Sequence, residues 1–377
     1  MSQRNPYQGL PDHHFWRRSV SAVDRHLLDP VVSPKFSIAS ADRVATAGSC
    51  FAQHISRRLQ AIDFNYYITE QAPELSPAEG RRRNFGVFSA RYGNIYTTRQ
   101  LLQLYQQAFE GRGSVEGAWR RNDGRYVDPF RPNIEPDGFA SIDEVLRARE
   151  QHLAAVREMF QNTDVFVFTL GLTEGWASKA DGSMFPLAPG VAAGSYSAEA
   201  HEFINLGVYD VEVDLFEFLG RLKALNGKVK VLLTVSPVPL IATYADRHVL
   251  SATTYSKSVL RVAAETLARS CDWVDYFPSY EIITGSYSRG AYYEDDAREV
   301  NELGVSHAMR CFFDNYVDRP DAPRRADTAT AQPAVAQASG AAPPPGSAMT
   351  DGKPPAPRPS SETDLVCDEE SIDQINR

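Results

Sequence analysis

The chain has 377 residues, 43% of them hydrophobic and 23% charged, and a formal net charge of −9. That length suits one large domain or two modest ones. The acidic balance argues against a nucleic-acid partner bound through phosphate neutralisation, and no apolar run approaches the roughly 18–20 residues of a membrane span. Cys50, Cys271, Cys311 and Cys367 are widely spaced. They form no CxxC pair, and there is no HExxH, so neither a metal, another cofactor nor a disulfide framework is expected. The N-terminus lacks the apolar core of a Sec-type signal peptide, which makes the cytoplasm the expected location. Oligomeric state is not readable from these features.

Residues 1–40 are polar and rich in aromatics (Tyr7, Phe15, Trp16, Phe36), unlike a disordered tail, and are expected to wrap the main domain. Val44–Ala47 is a short apolar run suited to a buried parallel strand. It passes through Gly48-Ser49-Cys50 into a helix-forming stretch, residues 53–61. A strand turning sharply into a helix can lift a side chain to the helix N-terminus, where developing negative charge is favoured. Ser49 and Cys50 are therefore candidate nucleophiles, the plain alternative being a glycine turn with two small buried residues. His54, on the helix, reads as a packing residue or as a base beside them.

Residues 99–109 predict an amphipathic helix. Residues 111–139 read as a long loop, whose Trp119, Tyr126, Phe130 and Arg131 either face a sugar or peptide or pack on one another. Ser141 and Glu144 have the spacing of a capping box for a helix to about Phe160. Val165–Leu170 is continuously apolar, hence a central strand, and runs into Gly171-Leu172-Thr173-Glu174. A helix at 211–225, a buried strand at 229–235 ending at Ser236, a helix at 258–268, a short strand at 273–276 and a last helix at 301–317 complete the pattern. This alternation predicts an α/β fold, a parallel sheet between helix layers. Ligands of such sheets bind beyond the carboxyl ends of the strands, the edge shared by Ser49, Cys50, Thr173, Glu174 and Ser236. Residues 1–317 are taken as one domain. Residues 318–363, dominated by Pro, Ala, Ser, Thr, Asp and Gly, are expected to be disordered. Asp364–Arg377 reads as solvated tail, with a short docking motif as the alternative.

Gly48-Ser49-Cys50-Phe51-Ala52 resembles the signature of the GSCFA family. The N-terminal aromatics, Thr169–Glu174, Thr234–Pro239 and Phe277–Glu281 are similar to family blocks, so the resemblance covers roughly residues 5–317. The family looks like a branch of the SGNH (GDSL-like) hydrolases, which implies a flavodoxin-like three-layer α/β/α sandwich. It implies a hydrolase or acyltransferase acting on an acyl or acetyl ester of a glycan-like or small-molecule substrate. The SGNH pattern needs a nucleophile, oxyanion donors, and a late Asp-x-x-His as base and orienter.

An ungapped match places Cys50 at the nucleophile; a one-residue shift places Ser49 there. The resemblance implies oxyanion and substrate contacts at Gly48, Gly93, Asn94, Gly171 and Thr173, the last standing where Asn is expected. Asp296-Ala297-Arg298-Glu299 occupies the place of Asp-x-x-His, with Glu for His. The next histidine, His307, is the base oriented by Asp296 if it faces the sheet edge, and structural if it faces the core. His248 is another candidate base, and Glu174 an alternative acid or base. The missing histidine favours a second reading, a catalytically silent SGNH-like module that binds a saccharide or a protein partner.

Overall fold

A computed structural model describes residues 5–62, 64–318 and 367–374. In chain order the elements are β1 Val44–Gly48, α1 Ala52–Ala61, α2 Pro77–Arg82, α3 Thr98–Phe109, β2 Trp119–Arg120, β3 Tyr126–Val127, α4 Ile142–Asn162 and β4 Val165–Leu170. There follow β5 Glu174–Ser178, β6 Met184–Phe185, β7 His201–Asn205, α5 Val208–Leu225, β8 Lys230–Val235 and α6 Val249–Ser270. The last are β9 Val274–Tyr276, α7 Ser279–Thr284, α8 Glu302–Tyr316 and α9 Glu370–Gln374.

The expected α/β architecture is present. Four strands pair in the order β1-β4-β8-β9, all parallel. Side chains on successive strand residues point to opposite faces, and the packing follows that period. Ala45, Ala47, Phe166, Phe168, Leu170, Val231, Leu233 and Val235 join one core with residues of α3, α4, α5 and α6. Val44, Val165, Val167 and Leu232 join the other with Ile55 and Leu59 of α1, Ile282 and Ile283 of α7, and Phe312 of α8. Being covered on both faces is why these strands read as unbroken apolar runs.

The N-terminal segment lies along α8 and continues into the sheet region: Ile38 N–H donates to Tyr316 O, and Asp318 N–H to Ile38 O. Ser141 caps α4 by accepting the Glu144 N–H at 3.2 Å, while the Glu144 carboxylate takes the Ala140 N–H. Helix α6 begins about nine residues before the predicted start. Its first turns (Val249-Leu-Ser-Ala-Thr-Thr-Tyr255) mix Leu and Ala with the weaker helix formers Val, Ser, Thr and Tyr, and packing of Ala252, Ser256 and Lys257 in the interior holds them.

Two small antiparallel sheets escape the sequence pattern. One pairs β2 with β3, and the other has the order β6-β5-β7. Trp119, Val127 and Phe185 form a minor core with Phe130 against it, and Arg131 is buried between Asp128 and the Arg91 carbonyl. The long loop is thus packed on the domain, Phe185 of β6 and Arg91 among its contacts. Of the segment expected to be disordered, all but Asp318 lies outside the described residues. The expected solvated tail needs correction where it is described: Cys367–Gln374 docks on the domain, with Asp368 and Glu369 buried.

Candidate functional site

Gly48 ends β1 at φ +131°, and a Cβ there would fall 2.2 Å from the Thr169 carbonyl oxygen. Only glycine lets β1 approach β4 this closely and still turn. Ser49 N–H donates to Thr169 O, and α1 starts three residues later. Ser49 and Cys50 are both buried, and Ser49 Oγ is enclosed without a hydrogen bond. Across the turn, a Cβ on Gly171 would sit 3.1 Å from Ser49 Cβ and 3.0 Å from Tyr96 O.

The segment Asn94-Ile95-Tyr96 stitches the ends of β1 and β4 together. Ile95 N–H donates to Gly48 O, and Gly171 and Leu172 N–H both donate to Tyr96 O. Gly93, at φ +71°, turns the chain into this segment. Asn94 is thereby brought to the turn, its Oδ1 3.5 Å from Gln53 Nε2 on α1. The Tyr96 hydroxyl is enclosed without a hydrogen-bond partner. Burial pushes it well above its ordinary pKa, with Asp368, Glu369, Cys367 and Cys50 acting the same way.

Two cations complete the cluster. Lys257, 1% exposed, reaches in from α6, and its Nζ donates to Gly171 O at 2.7 Å. Burial lowers its pKa to about 8, against the upward pull of Glu369 and Cys50; Arg298 acts in the lowering direction. Arg298 donates to Glu369 Oε2 at 2.8 Å. Burial pushes Arg298 down, but Glu369, Cys367 and Cys50 outweigh it and its pKa is raised.

Into this cluster comes the C-terminal segment. Asp368 accepts from Asn94 Nδ2 at 2.8 Å and from Asn133 Nδ2 at 2.7 Å. The Cys367 thiol is hydrogen-bonded to Cys50; that contact, then burial, raises its pKa. Both thiols are free. Burial raises Asp368 and Glu369 as well, Asn94 and Asn133 opposing it for the first, Arg298 and Lys257 for the second.

The remaining predicted residues are not brought to the turn in the expected roles. His307 Nδ1 pairs with the Tyr292 hydroxyl at 2.7 Å and its Nε2 with Leu28 O at 2.6 Å. Both ring nitrogens are occupied under the N-terminal segment, and the ring is structural. Asp296 Oδ1 instead closes a turn by accepting the Arg298 and Glu299 N–H groups. Its loop therefore presents Arg298, not an acid–histidine pair. The Thr173 hydroxyl donates to Asn205 Oδ1 at 2.7 Å, so it is spent on holding β7 rather than facing an oxyanion. Glu174 accepts from Thr243, and burial raises its pKa. With Trp176, Phe203, Tyr244, Glu369 and Ile372 it lines a cleft of about 210 Å³. His248 caps α6, its Nδ1 accepting the Leu250 N–H, and His54 packs on Phe51, burial lowering it to about 4. Ser236 Oγ accepts the Val238 N–H.

Lys257, Arg298 and Asn133 were not foreseen, and the docked segment only as the alternative to a solvated tail. Lys257 carried a signal: it shares a helix face with Leu260, Ala264 and Leu267, and a lysine on an apolar stripe demands a partner. Among the described residues no group of three His, Cys, Asp or Glu side chains is placed to hold a metal ion, and no helix is long and apolar enough to cross a membrane.

Comparison with curated proteins and with solved structures gave no match. The family model described as GSCFA family matches residues 43–312, from the start of β1 into α8. Gly48-Ser49-Cys50-Phe51-Ala52, the turn on which the buried cluster is built, lies within that match, and the chain belongs to the GSCFA family.

Proposed function

We propose that the Ser49–Cys50 turn is the nucleophile turn of an SGNH-like acyl hydrolase or acyltransferase, acting on an acyl or acetyl ester of a glycan-like or small-molecule substrate. The observation that carries this is the company kept by Cys50. It sits at the carboxyl edge of a parallel sheet, within charge range of a buried lysine whose pKa is lowered to about 8. Neutral Lys257 takes the thiol proton in place of histidine. Sulfur bonds to the acyl carbon and the carbonyl oxygen gains the charge. Asn94 Nδ2, the Tyr96 hydroxyl and Arg298 are the groups available to stabilise it. The intermediate then expels the alkoxide, which recovers the proton from Lys257, and water or an acceptor alcohol releases the acyl group.

The test is hydrolysis of p-nitrophenyl acetate by the Asp368→Asn, Glu369→Gln chain, in which the site is freed, and by the same chain with Cys50→Ala or Ser49→Ala added. We expect Cys50→Ala to lose about 100-fold or more and Ser49→Ala to retain most activity. The reverse pattern would move the nucleophile to Ser49, and equal rates in all variants would refute the enzyme.

The silent binding module is favoured by two observations: both ring nitrogens of His307 are bonded to Tyr292 and Leu28, and the cluster holds two carboxylates of its own chain. Equal rates together with saturable ligand binding would establish that reading instead.

A further inference from the structure

The cluster beside Cys50 is built to hold carboxylates. Asn94, Asn133, Lys257 and Arg298 come from the segment after Gly93, the long loop, α6 and the loop before α8. All converge on two adjacent acidic residues. Asp368 and Glu369 are 4% and 6% exposed, yet each has partners: two amides for Asp368, a guanidinium for Glu369 with Lys257 near it. Buried carboxylates are tolerated only when so paired. Cys367 contacts Cys50 on one side of the pair, and Ile372 reaches the Trp176–Tyr244 cleft on the other. An emptied cluster would take from the buried Arg298 guanidinium, and from the Asn94 and Asn133 amides, the carboxylates they hold, so it is poised for an anionic ligand.

We propose that this cluster is a recognition site for acidic peptides, and that the chain's own segment Cys367–Gln374 is its ligand, closing the Cys50 turn from within the same chain. The segment meets the site with a thiol, two carboxylates and an apolar side chain in fixed order, each on a different part of the domain. Access to Cys50 then requires the segment to leave or a competing acidic ligand to replace it. This shares the site of the proposed function but not its chemistry, and it holds whether or not Cys50 turns over esters.

The experiment is the rate of Cys50 alkylation by iodoacetamide, read by peptide mass mapping so that Cys367 is scored separately. In the full chain Cys50 is expected to react slowly. Asp368→Asn with Glu369→Gln keeps size and shape and removes both charges. It is expected to speed Cys50 alkylation by about ten-fold or more, the loss of at least one charge-assisted pair. A synthetic peptide of residues 367–374 carrying Cys367→Ser should restore protection of the double variant, and a scrambled peptide of the same composition should not. Equal Cys50 rates in the two chains would overturn the proposal, as would protection by the scrambled peptide. Because the readout is thiol accessibility, an inactive enzyme leaves it unaffected.

Discussion

Lys257 is the residue on which the proposed chemistry turns. A lysine in water holds its proton far above neutrality; enclosed beside Gly171 O it is brought to about 8, burial being the dominant cause. In the proposed mechanism the deprotonated amine is the base, so activity rises with pH as the amine loses its proton. Lys257→Met keeps the volume and removes the titrating group. A pH–rate profile of p-nitrophenyl acetate hydrolysis by the Asp368→Asn, Glu369→Gln chain, which lacks the Glu369 charge that raises Lys257, should show a rising limb below about 8 and its loss when Lys257→Met is added, with the rate lowered about 100-fold. A limb that survives Lys257→Met would assign the base elsewhere. Cys50, Asn94 and Gly171 were legible beforehand because turn chemistry and the family resemblance are local. The base was not. His307 stands in roughly the right sequence position, but its ring is committed to Tyr292 and Leu28. No local pattern reveals a hydrogen bond to a carbonyl 279 residues away.

At the level of elements, the long loop between α3 and α4 owes its shape to buried ion pairs. Asp128 is gripped by Arg131 and Arg149 at 2.9 and 2.6 Å, and Glu70 lies 3.5 Å from Arg131 and 2.7 Å from His152. This network fixes the loop that carries Asn133 to Asp368. Burial pushes Glu70 up, but His152 and Arg131 outweigh it and its pKa falls from 4.5 to about 2. His152 is itself lowered, burial and Arg131 outweighing Glu70, and Arg91 adds a further cation 3.6 Å from Glu70.

A depressed carboxyl contributes stability above its unfolded pKa and loses it as pH falls through the folded one. The window here is about pH 4.5 down to 2. Urea unfolding of the native chain and Glu70→Gln should therefore differ by about 3 kcal/mol near pH 6, narrowing toward zero as pH falls to 2. A pH-independent difference would show that Glu70 does not act through its charge. None of these pairings was legible, because a charged loop gives no period to read. The same holds for β5 and β7, whose Glu174-Gly-Trp-Ala-Ser178 and His201-Glu-Phe-Ile-Asn205 carry charge within the strand. By contrast β1, β4, β8 and β9 were found to within a residue or two, since burial on both faces writes itself as apolar runs.

Across the whole molecule, the two helix layers and the sheet set a polar cluster at one edge, and the far end of the chain returns to fill it. Residues 367–374 looked like solvated acidic tail because their composition is polar and their partners lie in four distant segments. Hydrophobic periodicity cannot register a segment recognised by charge. The central claim is that Cys50 is a nucleophile in a site that this segment occupies. The most direct measurement is brief incubation of the Asp368→Asn, Glu369→Gln chain with p-nitrophenyl acetate, acid quenching, and mass mapping of the acetyl group over all four cysteines. The account predicts an acetyl thioester on Cys50 that forms faster than on Cys271 and is lost when Lys257→Met is added. Acetyl groups spread over the thiols according to exposure, unchanged by Lys257→Met, would contradict it.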